Sequence, residues 1–131
     1  MKKYLFFIVL LTIMVSCGNS NNQISKESIR IANLFNNVCP YMMDEDLRLD
    51  IVIPVPNNTL QFNYTLVNHT NELIDTVSFK FLMESQYLIN LMKGYPKLEQ
   101  KYQKEWTLYY FFNDKNGEYI CSIIVTPDRY K

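Results

Sequence analysis

The chain has 131 residues with 13 basic and 13 acidic side chains, and 48% of its residues are hydrophobic and 15% aromatic. Balanced charge leaves no electrostatic footprint for nucleic acid, and abundant aromatics with only three glycines exclude a disordered stalk. One histidine and three cysteines without C-x-x-C spacing supply neither a two-histidine metal site nor a zinc or redox motif, so no metal and no cofactor is expected.

The first stretch is an address. Lys2 and Lys3 precede an apolar run from Leu5 to Val15, and the small residue Ser16 follows. This is the pattern of a secretory signal, too short for a membrane span of roughly 20 apolar residues. Met14-Val15-Ser16-Cys17 resembles the bacterial lipobox. The resemblance implies a cell-envelope lipoprotein whose Cys17 is acylated after cleavage and anchors the chain to a membrane. The expected organisation is a signal peptide over 1–16, a lipidated cysteine and flexible tether over 17–24, and one domain over 25–131. Without 1–16, the chain has 115 residues and a net charge of −2, which gives no attraction to anionic headgroups. That length suits one domain with one modest core.

Along the domain, Ser25 is a good N-cap, and Ile31, Ala32, Leu34, Phe35 and Val38 predict a helix from Ser25 to about Val38. Leu47–Ile53 alternates, which predicts a strand with Leu47, Leu49, Ile51 and Ile53 on its dry face. After a turn at Pro54–Asn58, Thr59–Val67 alternates again, with Leu60, Phe62, Tyr64 and Leu66 dry. Phe79, Leu82, Met83, Tyr87, Leu88, Leu91 and Met92 mark a second helix ending at Gly94, and Pro96 opens a short helical turn over Lys97–Lys104. Glu105–Phe112 and Tyr119–Thr126 form a last hairpin through Asn116-Gly117.

The order is α-β-β-α-β-β, a helix and a hairpin written twice. It predicts an α+β fold with a four-stranded antiparallel sheet and both helices on one face. Val38–Asp44, Arg48–Asp50, Asn58–Leu66, Asp114–Gly117 and Val125–Pro127 are similar to a pattern in small bacterial envelope proteins of unknown function. That resemblance implies a shared fold and brings no activity.

No catalytic site is evident. Asp44, Glu45, Asp46 and Asp50 cluster, but without the ligand spacing of a calcium loop. They leave a small carboxylate-dependent hydrolase, or a periplasmic inhibitor or immunity-type lipoprotein, as the alternative function. His69 lies on a polar loop and is expected to be solvated, and Lys93, Lys97, Lys101 and Lys104 read as an outer charged face. Cys39 and Cys121 form an even pair that can be bridged as a disulfide or stay as buried thiols.

The strongest candidate is the last hairpin. If Trp106, Leu108, Tyr110, Phe112, Tyr119, Cys121, Ile123 and Val125 face the helices, then Tyr109, Phe111, Ile120 and Ile124 face away. Arg48, Asp50, Gln61, Asn63 and Thr65 are expected on the same open face. An aromatic half beside a polar half is the signature of an interaction surface, for an envelope protein, a ligand or a second copy of the chain in a homodimer. The expectation is a non-enzymatic binding or scaffold domain in the periplasm.

Overall fold

Helix α1 spans Lys26–Asn36 and begins where its cap predicts. The Ser28 N–H donates to Ser25 Oγ at 3.1 Å, and the Ser28 hydroxyl donates to the Ser25 carbonyl at 2.8 Å. Ser28, Ile31 and Ala32 are buried, so a narrow stripe docks the helix while Glu27 and Arg30 pair on its outer side. The computed structural model describes residues 23–87 and 106–129. The signal segment, Cys17, the predicted second helix beyond Tyr87 and the Lys97–Lys104 turn lie outside them. Among the described residues no helix is long and apolar enough to cross a membrane.

The remaining elements are β1 (Tyr41–Met42), β2 (Leu47–Val55), β3 (Thr59–Leu66), α2 (Thr76–Leu82), β4 (Thr107–Asn113) and β5 (Tyr119–Val125). A turn of 3-10 helix at Asn71–Leu73 precedes α2, a π-turn at Met83–Tyr87 follows it, and Pro127–Arg129 closes the chain as a 3-10 turn. Asp75 caps α2. Its carboxylate accepts the Ser78 hydroxyl at 2.7 Å and the N–H groups of Val77 and Ser78, which hold it below the usual carboxylate range. Asn57 and Asn58 turn the chain between β2 and β3 at φ of 63° and 51°, and Gly117 does so between β4 and β5 at 81°.

Among the described residues the sheet has five strands in the order β1-β2-β3-β4-β5, and it is mixed. The four-stranded antiparallel expectation is corrected here. β3 and β4 run parallel, with Phe62 opposite Tyr110 and Tyr64 opposite Phe112. The connection from β3 to β4 carries α2 and is long enough to cross the sheet and return at the opposite end, which a tight hairpin cannot do. Tyr41 and Met42 add a short antiparallel edge beside Leu49 and Arg48.

An aromatic ladder on the inner face joins the two halves. Phe62 stacks on Tyr110 at 5.3 Å, Tyr110 lies 6.3 Å from Tyr64, and Tyr64 stacks on Phe112 at 5.3 Å. Each helix sends one ring edge-on into an end of this ladder: Phe35 of α1 onto Phe62 and Phe79 of α2 onto Phe112, both at 5.2 Å. Such pairs add about 0.5–1.5 kcal/mol each beyond burial. Among the described residues both helices therefore pack on one and the same face of the sheet.

Side chains close the sheet edges. Beyond the short β1, the Asn36 amide donates to the Val52 carbonyl at 2.8 Å, and its oxygen accepts the Val52 N–H at 2.7 Å. The amide completes the ladder as another strand would. On β5, Asn71 Nδ2 donates to the Tyr119 carbonyl at 3.2 Å, and Arg129 donates to the Ile124 carbonyl at 3.1 Å while pairing with Glu84. These contacts occupy edge groups that otherwise invite strand addition.

Candidate functional site

The face opposite the helices is built from rows that cross the sheet. Ile53, Gln61, Tyr109 and Ile124 form one row, and Ile51, Asn63, Phe111 and Ser122 the next. Arg48, Thr65, Asn113 and Tyr119 form a third. The parallel register of β3 and β4 sets the amides of Gln61 and Asn63 directly beside the rings of Tyr109 and Phe111. Tyr109 and Phe111 meet edge to face at 4.6 Å, Phe111 lies 5.7 Å from Tyr119, and the Tyr119 hydroxyl donates to Ser122 Oγ at 3.0 Å. Tyr109 and Phe111 are half-buried, whereas Tyr119 is 52% exposed and Ile124 is 51% exposed.

Two bulges change the residues that sequence alternation assigns to this face. In β2 the register shifts between Leu49 and Ile51, so Asp50 is the extra residue and the alternation inverts beyond it. Val52 is buried, and Ile51 and Ile53 face outward, opposite to the alternating expectation. In the last hairpin the register shifts between Phe112 and Asn113. Ile120 and Cys121 both turn inward, and Tyr119 turns out. Ile120 is therefore a core residue, and Tyr119 takes its place among the surface aromatics. No residue type announces either bulge, since β-branched and aromatic side chains occupy both phases.

The polar half is partly paired within itself. Asp50 Oδ1 accepts from Arg48 Nε at 2.5 Å, and Oδ2 accepts the Thr65 hydroxyl at 2.5 Å. Gln61 Nε2 donates to Asn63 Oδ1 at 2.9 Å. Asp44 and Asp46 hold the β1–β2 link. Asp44 Oδ1 accepts the N–H groups of Asp46 and Leu47, each at 2.8 Å. Asp46 accepts from Asn68 at 2.7 Å and lies 3.5 Å from His69 Nε2. The Asn68 hydrogen bond, aided by His69, holds the Asp46 carboxyl below the usual range. Among the described residues, no group of three or more metal-ligating side chains is gathered.

Cys39 and Cys121 are free thiols. Cys39 precedes β1 at one edge of the sheet and Cys121 sits in β5 at the other. Burial raises both thiols above their ordinary pKa, assisted at Cys39 by the charge of Asp50.

Asp114 is a structural centre that alternation alone does not reveal. It is fully buried in the β4–β5 turn, where Oδ1 accepts the N–H groups of Asn116 and Glu118 at 2.8 and 2.9 Å. Oδ2 accepts the Asn71 N–H at 2.9 Å. Burial pushes this carboxyl up, but the three N–H donors and nearby Lys115 outweigh it and hold it below the usual range.

No family model and no curated protein matches the chain. Two solved structures share its fold. A Pseudomonas aeruginosa protein assigned as secreted aligns over 82% of this chain and 92% of its own, with a TM-score of 0.63 and 13% identity. The pilotin of the Vibrio vulnificus type 2 secretion system aligns over 80% of this chain and 89% of its own, with a TM-score of 0.54 and 10% identity. At these identities the likeness is one of fold.

Proposed function

We propose that the chain is a non-catalytic lipoprotein of the bacterial cell envelope, anchored by an acylated Cys17, whose domain recognises an envelope component with the open face of its sheet. The observation that carries this reading is the run of Tyr109, Phe111, Tyr119 and Ile124 on the sheet face opposite both helices, with Tyr119 and Ile124 exposed. Half-buried aromatic rings offer large contact area with little rotamer freedom to lose, as recognition surfaces require. The signal and lipobox pattern supports the location, and the names of the two structural neighbours, one secreted and one from a secretion system, agree with it.

Two experiments test it. Cells making the full chain should carry it in the membrane fraction and incorporate labelled palmitate, and Cys17→Ser should release it to the soluble envelope fraction. A wild-type chain that stays soluble and unlabelled overturns the anchor. In the Cys17→Ser background, Tyr109→Ser with Phe111→Ser should keep the fold but lose retention on isolated envelopes. Unfolding of this variant would sink the surface assignment.

A second reading rests on α2. Val77 and Phe81 stand four residues apart on it and are exposed by 79% and 70%, with Leu82 beside them, and Leu73 in the 3-10 turn before it is exposed by 82%. Such a stripe suits an apolar helix of a protein partner, and the pilotin neighbour agrees with a protein of a secretion assembly as that partner. Retention on envelopes lost through Val77→Ser and Phe81→Ser, and unaffected by Tyr109→Ser with Phe111→Ser, would favour this reading.

A further inference from the structure

We propose that the open face binds a neutral, N-acetylated glycan, which rests on the reading of that face as a recognition surface. Charge selects the class first. Within β2 to β5 the charged side chains of this face are Arg48 and Asp50, and they neutralise one another, with the second carboxylate oxygen taken by Thr65. Neither an acidic nor a basic partner meets complementary charge there.

Hydrogen-bonding chemistry narrows it. The Gln61–Asn63 bond uses one donor of Gln61 and the acceptor of Asn63. It leaves Gln61 Oε1 to accept and Asn63 Nδ2 to donate, beside Tyr109 and Phe111. A sugar hydroxyl or acetamido group both donates and accepts, and the apolar face of a pyranose lies flat on an aromatic ring. An extended peptide would instead seek main-chain bonds along a sheet edge. Asn36 occupies the β2 edge at Val52, and Asn71 and Arg129 occupy carbonyls of the β5 edge.

Area argues against a second copy of the chain. Four strands about 4.8 Å apart and three rows about 6.7 Å apart present on the order of 400 Å². Stable protein interfaces bury about 800 Å² per partner. A short oligosaccharide fits the smaller patch.

The test is titration of the full chain in detergent micelles with the tetramer of β-1,4-linked N-acetylglucosamine, followed by calorimetry and by amide NMR shifts. Saturable binding below about 1 mM is expected, with shifts centred on Gln61, Asn63, Tyr109 and Phe111. Tyr109→Ala should weaken it at least tenfold, and Asn63→Ala several-fold, each with an unchanged far-UV spectrum. No saturable binding, or binding indifferent to Tyr109→Ala, overturns the proposal. A wild-type dimer that dissociates in Tyr109→Ala also overturns it, by assigning the face to self-association. Retention on envelopes through Tyr109 and Phe111 without tetramer binding would remove the glycan and keep the recognition surface. Loss of both would remove the two together.

Discussion

The backbone N–H of Asn71 donates to Oδ2 of Asp114 at 2.9 Å, across 43 residues of sequence. This bond, with the Lys115 N–H donating to the His69 carbonyl at 3.0 Å, ties the segment leaving β3 to the turn between β4 and β5. It fixes where the crossover begins, and so helps hold β4 parallel to β3.

Replacing Asp114 tests that role. Asp114→Ala removes the buried acceptor of three part-buried backbone donors and is expected to lower Tm by roughly 5 °C or more at pH 7. The carboxyl has a folded pKa below its unfolded value of about 3.9, so its stabilisation is complete above that value and is lost as pH falls through the folded one. Asp46 and Asp75 are shifted the same way and contribute in the same window. Urea midpoints measured from pH 6 down to pH 2 should fall less steeply for Asp114→Ala than for the native chain. Parallel curves would contradict the assignment.

The aromatic ladder should dominate stability. Phe112 is fully buried between Tyr64 and Phe79, and Phe112→Ala is expected to cost about 3–5 kcal/mol by chemical unfolding. Phe79 is half-buried, so Phe79→Ala should cost less.

The bulge in β5 makes two neighbouring isoleucine positions unequal. Ile120→Ser should destabilise by about 2–4 kcal/mol, while Ile124→Ser should stay within about 0.5 kcal/mol. Equal effects in urea titrations would place the bulge elsewhere.

Asn36→Ala removes both partners of Val52 and opens the β2 edge. A loss of about 1–3 kcal/mol is expected, together with concentration-dependent association in sedimentation at neutral pH. A monomer at all concentrations would show that the edge needs no guard.

The thiols give a separate check on topology. A Cys17→Ser chain unfolded without reductant should titrate two free thiols, and in the native state Cys121 should label slowly, because burial raises its pKa and hides it. Zero free thiols would require the sheet edges to meet.

The sequence was a good guide wherever local chemistry decides the outcome. Ser25 places the start of α1, Asn57, Asn58 and Gly117 place the turns, and alternation in Thr59–Leu66 places Leu60, Phe62, Tyr64 and Leu66 on the dry face. It failed where an extra residue inverts the phase, at Asp50 and at Tyr119–Ile120, because either phase presents apolar side chains to either side.

By itself the sequence determined the α+β class and an aromatic character for the last hairpin, since both follow from periods of 3.6 and 2 and the residues that fill them. Only the tertiary structure decided that β3 and β4 pair in parallel, because pairing between distant strands depends on how the crossover returns and not on either strand alone. The same pairing sets Gln61 and Asn63 against Tyr109 and Phe111, so the candidate surface exists through a register that no single strand encodes.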